Sequence, residues 1–208
     1  MIAQTENITL DGMVGPLEAL RNRPAGPACG VAVVAHPHPL FGGTMHNKVV
    51  QTITRALVQA GWEVVRFNFR GVGASAGEHD QGRGELQDLL AVVQQAAPSG
   101  PLALAGFSFG AFVTTHAVQA LWASGRVQKI VLVGTATSRF DPAPLPPESH
   151  ERTLVLHGEQ DDTVPLASVM DWARPQVLPV TVVPGGGHFF HGQLPLLKSL
   201  VLRHLSAH

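Results

Sequence analysis

The stretch Leu102-Ala103-Leu104-Ala105-Gly106-Phe107-Ser108-Phe109-Gly110 decides the fold. Its first five residues form an apolar run, as expected of a strand buried on both faces. Its last five are G-x-S-x-G, and residues 109–123 read as a helix that Gly125 ends. A serine at such a strand-to-helix turn is held in a strained conformation with Oγ above the sheet. Gly106 and Gly110 lack Cβ atoms, so neighbouring backbone can approach the turn. The N–H of Phe109 stands at a helix N-terminus, where partial positive charge stabilises an oxyanion. Taken alone, the pentapeptide also fits an ordinary glycine-rich turn.

Outward from this point, apolar runs and helical patterns alternate. Residues 6–10 and 17–21 read as strands around an Asp11-Gly12 turn, and residues 29–35 as a buried strand. The prolines and glycines of residues 36–44 give a loop. Val50, Ile53, Ala56, Leu57 and Ala60 share one helical face, and Gly61 follows as a C-cap. Further strands are expected at 64–69, 129–133, 153–156 and 180–183, and further helices at 85–97, 166–172 and 194–205. Such alternation implies an α/β fold with a parallel sheet covered on both faces. With 208 residues and no repeat or linker, residues 1–208 are expected to form a single domain.

Composition narrows the partners. Apolar residues make up 45% and charged residues 14%, which excludes a disordered tail or coiled coil. Fourteen basic against 15 acidic residues leave no excess to hold a phosphate backbone, so no nucleic-acid partner is expected. The one cysteine, Cys29, allows no internal disulfide and reads as an inert core residue. The N-terminal residues show no signal peptide, and no run reaches the ~18 apolar residues of a membrane span. A cytoplasmic location is therefore expected. His36, His38 and His46 cluster, but no nearby cysteine or carboxylate completes a tetrahedral metal set, and metal is expected to be absent. The glycines of 71–77 have the wrong spacing for a dinucleotide fingerprint. Arg70 reads as a structural ion-pair partner of a carboxylate. Asp80, Glu85 and Asp88 read as helix-start charges. His157 reads as a strand-end cap, and His79, His150, His204 and His208 as solvated groups.

A serine hydroxyl needs a base and a group to orient that base. After the serine, the expected order is acid and then histidine. Asp161 and Asp162 follow the strand at 153–156, and His188 follows Pro184-Gly185-Gly186-Gly187 beyond the last strand. Both positions fall in loops at the carboxyl edge of the sheet, where ligands gather. His191 is the second candidate for the base, near the start of the last helix.

With these elements the chain resembles the α/β-hydrolase superfamily, and in particular small bacterial serine hydrolases of dienelactone-hydrolase or esterase type. The markers are AHPHPLFGGT (35–44), FNFRGVGAS (67–75), GFSFG (106–110), HGEQDDTVP (157–165) and GGGHFF (185–190). The resemblance covers nearly the whole chain. It implies an eight-stranded, mostly parallel sheet with a leading antiparallel strand. It implies Ser108 as nucleophile, His188 as base, Asp161 as acid with Asp162 as alternative, and an acyl-enzyme. It also implies an oxyanion hole made by Phe109 and a second N–H from the first loop. That loop departs from the family by reading His-Pro for His-Gly. Because Pro37 and Pro39 carry no N–H, His38 is the expected donor, with Leu40 and Phe41 as fallbacks.

Between the strands at 129–133 and 153–156 the chain is proline-rich and too short for a helical cap, so an open site is expected. Phe41, Met45, Phe109, Phe140, Phe189 and Phe190 are expected around it. Phe41, Met45, Phe140 and Phe189 are taken as substrate-binding positions for an acyl chain or small aromatic acyl group. Arg139 is the nearest cation for an anionic substrate. The expected activity is hydrolysis of small carboxylic esters or thioesters, without cofactor or metal, by a monomer or homodimer. The alternatives are acyl transfer or amide hydrolysis on the same residues, or a non-catalytic binding scaffold.

Overall fold

A computed structural model describes residues 2–206. Eight strands form one sheet in the order β1-β2-β4-β3-β5-β6-β7-β8. The strands are β1 (Ile2–Gly12), β2 (Gly15–Pro24), β3 (Val31–Ala35), β4 (Glu63–Phe67), β5 (Leu102–Phe107), β6 (Val127–Val133), β7 (Thr153–Gly158) and β8 (Val180–Val183). All pairs from β4 to β8 are parallel, while β2 runs against both β1 and β4. The strand opposed to the rest is therefore the second, not the leading one. β1 and β2 are also longer than their apolar residues suggest. Their partly exposed polar positions pair across the ladder, as in Glu6 opposite Arg21.

The central strands alternate between two cores. Val33, Ala35, Leu104, Ile130 and Leu132 face one side, with Leu89 and Val92 of α2 (Arg83–Ala96), Val113 and Ala117 of α3 (Phe109–Trp122), and Val169 of α4 (Leu166–Ala173). Ala32, Val34, Ala103, Ala105, Val131 and Val133 face the other, with Ile53 and Leu57 of α1 (Lys48–Gln59) and Leu197 and Val201 of α5 (Leu194–Ser206). This period of two carries burial on both faces without alternating polarity. Asn47 caps α1, its Oδ1 accepting from the N–H groups of Val49 and Val50. Glu85 caps α2 by accepting from the N–H of Gly82 and of Asp80.

Several expectations are corrected. Cys29 is exposed and precedes β3, so it is not a core residue. Glu85 does stand in the first turn of α2, whereas Asp88 lies beyond it, and both are fully buried. Asp88 accepts from both the backbone and the guanidinium of Arg70, at 2.8 Å from Nη2, and so ties the loop after β4 to α2. His79 is not free in solvent: its Nδ1 lies 2.8 Å from Glu85 Oε1. His204 is half-buried and donates from Nε2 to the Arg152 carbonyl. His208 lies outside the described residues. Residues 134–146, between β6 and a 3-10 segment (Pro147–Arg152), contain no helix and form no lid.

Candidate active site

The turn after β5 is shaped by what cannot fit there. A Cβ on Gly106 would lie 2.4 Å from the Gly110 carbonyl, and one on Gly110 would lie 2.4 Å from the Ala35 carbonyl. Only glycine lets α3 start this close to β3 and β5. Between them Ser108 takes φ 56°, ψ −116°, a conformation an L-residue holds only when its surroundings enforce it. Its N–H donates to Val133 O, and its carbonyl accepts from the N–H of Phe112 and of Ala136. The serine is thus clamped between β6, α3 and the loop after β6.

Two loops deliver its partners. His188 Nε2 is 3.0 Å from Ser108 Oγ, and His188 Nδ1 is 2.7 Å from Asp161 Oδ2. Asp161 Oδ1 accepts from the N–H of Val164 at 2.7 Å and of Thr163 at 3.0 Å. All three side chains are buried. Burial alone would push the Asp161 carboxyl up, but the His188 and Val164 hydrogen bonds outweigh it and hold it below the usual range. Such a carboxylate keeps the proton on His188 Nδ1, which leaves the Nε2 lone pair towards the serine. The two loops are tied together, since the Gln160 N–H donates to Gly186 O at 2.8 Å. A Cβ on Gly158 would meet that same carbonyl at 2.3 Å, which is why the strand end must be glycine. Asp162 is exposed and accepts from Thr163 Oγ1, and among the described residues it stands outside this arrangement. His191 is exposed and lines a neighbouring depression.

Ser108 and His188 open into a cavity of about 380 Å³. His38, Phe41, Phe109, Phe140 and Phe189 line it, together with Asn47, Ser138, Arg139 and Thr163. The aromatic rings form a cluster: His38 lies 4.8 Å from Phe41 and 4.9 Å from Phe109, and Phe112 stacks on Phe140 at 4.8 Å. Arg139 stands over Phe41, 5.7 Å from the ring centre. His38 Nδ1 accepts from the N–H of Leu40 and so caps the 3-10 turn Pro39–Phe41. Burial, and then His79 beside it, lower the His38 pKa. Among the described residues, neither the Phe109 N–H nor the His38 N–H has an acceptor within the protein.

Met45 and Phe190 do not line the cavity. Met45 is buried in the wall behind it, its N–H donating to Asn68 and its carbonyl accepting from Arg66. Phe190 takes φ 51° and turns into the core beside α1 and α5. His36 has both ring nitrogens engaged, with Pro37 O and the Phe69 N–H. The sequence reading missed a contact of His157. This residue is fully buried within β7, with Nε2 2.8 Å from Val164 O and 3.4 Å from Asp161 Oδ2. It also missed Asn47, Ser138 and Thr163, polar loop positions that carry no signal until the loops are folded together.

The family model for serine aminopeptidases, S33, matches residues 27–152. An α/β serine hydrolase without a lid from Xanthomonas campestris is similar at 38% identity and a TM-score of 0.87, over 99% of this chain and 95% of that one. An α/β serine hydrolase homologue from Coxiella burnetii is similar at 37% identity and a TM-score of 0.82, over 99% of both chains. An uncharacterised protein of Rickettsia prowazekii is 30% identical over 88% of this chain and 81% of its own length.

Proposed function

The chain belongs to the serine aminopeptidase S33 family and is an α/β serine hydrolase; from that premise we propose that it cleaves small carboxylic esters or thioesters through an acyl-enzyme. The observation that carries this reading is the hydrogen-bonded run from Asp161 through His188 to Ser108 at the floor of an aromatic cavity. His188 Nε2 removes the hydroxyl proton as Oγ attacks the carbonyl carbon. Asp161 holds the ring in its tautomer and stabilises the imidazolium. The N–H groups of Phe109 and His38 receive the oxyanion. His188 returns the proton to the leaving oxygen or sulfur, then activates a water that releases the acid. Phe41, Phe140 and Phe189 flank the acyl group.

The family takes its name from aminopeptidases, whose substrates carry a free α-ammonium group. Such a group calls for a carboxylate near the serine. The cavity lining contains no Asp or Glu among the described residues, and its one full cation is Arg139. This favours an acyl ester or thioester over an aminopeptidase substrate.

The test is a fluorophosphonate adduct read by intact mass, followed by p-nitrophenyl ester, acyl thioester and aminoacyl anilide panels. One adduct is expected on the wild type and none on Ser108→Ala. Ester turnover is expected to fall by about four orders of magnitude or more in that variant. Absence of an adduct on folded wild type would favour a binding scaffold, and turnover of the anilides alone would favour the aminopeptidase.

A further inference from the structure

We propose that His157 is a positioning residue for this reaction, its Nε2–H donating to the Val164 carbonyl while the same nitrogen acts electrostatically on the Asp161 carboxylate 3.4 Å away. The proposal rests on the reading of Ser108, His188 and Asp161 given above. His157 lies in β7, four residues before Asp161, and is wholly inaccessible to solvent. Its Nε2 is 2.8 Å from Val164 O, an acceptor, so Nε2 carries the proton. The same nitrogen is 3.4 Å from Asp161 Oδ2, the oxygen that takes the His188 Nδ1–H at 2.7 Å. Burial keeps the His157 ring neutral, since charging it there would be costly.

The other nitrogen marks the residue as more than filler. His157 Nδ1 is buried, and among the described residues no protein group forms a hydrogen bond with it. An orphaned buried nitrogen is unfavourable, and an apolar side chain of similar size would avoid it. What offsets the cost is Nε2–H, which acts twice. Through Val164 O it fixes the end of the loop whose N–H groups at 163 and 164 hold Asp161 Oδ1. Through Asp161 Oδ2 it draws on the charge that the carboxylate offers to His188.

The groups facing this pair are few. Asp161 comes from the loop after β7 and His188 from the loop after β8. Asp162 turns to Thr163 Oγ1, and Glu159 accepts from the Gly185 N–H. With His157 removed, Asp161 would bind the His188 Nδ1 proton with its full charge. The acid limb of kcat/KM would then move to higher pH.

The test compares wild type with His157→Leu, His157→Met and His157→Gln. In the two apolar variants, the acid limb is expected to move up by a few tenths of a pH unit and kcat to fall severalfold at unchanged KM. His157→Gln, which keeps an N–H donor, is expected to recover most of both. The His188 ring-nitrogen titration, followed by NMR, should move in parallel and does not depend on turnover. It therefore remains decisive if the esterase reading fails. Nitrogen shifts of His157 in the wild type should show the Nε2–H tautomer of a neutral ring at neutral pH. This measurement stands even if the apolar variants do not fold. An Nδ1–H tautomer of His157, or folded apolar variants with an unmoved His188 titration and only a lower Tm, would overturn the proposal.

Discussion

Asp161 and Asp162 are adjacent carboxylates with opposite surroundings. Asp161 is buried and accepts from two backbone N–H groups and His188, whereas Asp162 is exposed. Asp161→Asn is expected to keep the fold but lower kcat by about 10⁴-fold, because the amide cannot hold the Nδ1–H tautomer. Asp162→Asn is expected to stay within about twofold of wild type. Steady-state kinetics beside a circular dichroism melt would check both. At this scale the sequence was legible where spacing governs: serine, acid and histidine each follow a strand end. It was illegible where the direction of a side chain governs. Met45 and Phe190 are as apolar as Phe41 and Phe189, yet they turn inward because Asn68 and Arg66 hold one and a left-handed φ turns the other.

At the scale of the element, the strand-to-helix turn depends on contact distance. A methyl group on Gly110 must displace the carbonyls of Ala35 and His36, both belonging to the chain leaving β3. Gly110→Ala is therefore expected to destabilise the protein by about 2 kcal/mol through overpacking. It should also lower kcat, since the shift would move the Phe109 N–H. Denaturant midpoints together with ester kinetics would separate the two effects. Elements were readable wherever an apolar run had a clear stop, as at Gly61 and Gly125. β1 and β2 ran past their apolar stretches because a ladder satisfies backbone groups whatever the side chains. Cys29 was misread for the reverse reason: it sits before the strand, outside the ladder, beside residues that do pair.

For the molecule as a whole, buried neutral histidines contribute to the loss of stability in acid. Burial lowers the pKa of His36 to about 4, although its bond to Pro37 O opposes this. Burial, then Lys129, lower that of His204 to about 4 as well. Both folded values lie below the unfolded value near 6.5. The unfolded chain therefore binds protons first as pH falls. Their stabilising effect is complete above about pH 6.5 and is lost as pH falls towards about 4, on the order of 3 kcal/mol for His36. Urea midpoints are expected to decline over that window, and His204→Gln to flatten part of the decline. The overall topology was legible because alternating strands and helices admit few arrangements. The cavity was not, because its walls come from four separate loops.

The uncovered cavity also bears on traffic. Residues 134–146 pass beside the site without closing over it, and Phe41 at its mouth is 72% exposed. For the proposed ester hydrolysis, substrate and product would pass through an opening that residues 134–146 do not cover, and turnover would need no lid movement in that segment. Selection among the proposed substrates would then fall to the fit of the aromatic walls at the instant of encounter, and not to a gate that admits some and refuses others.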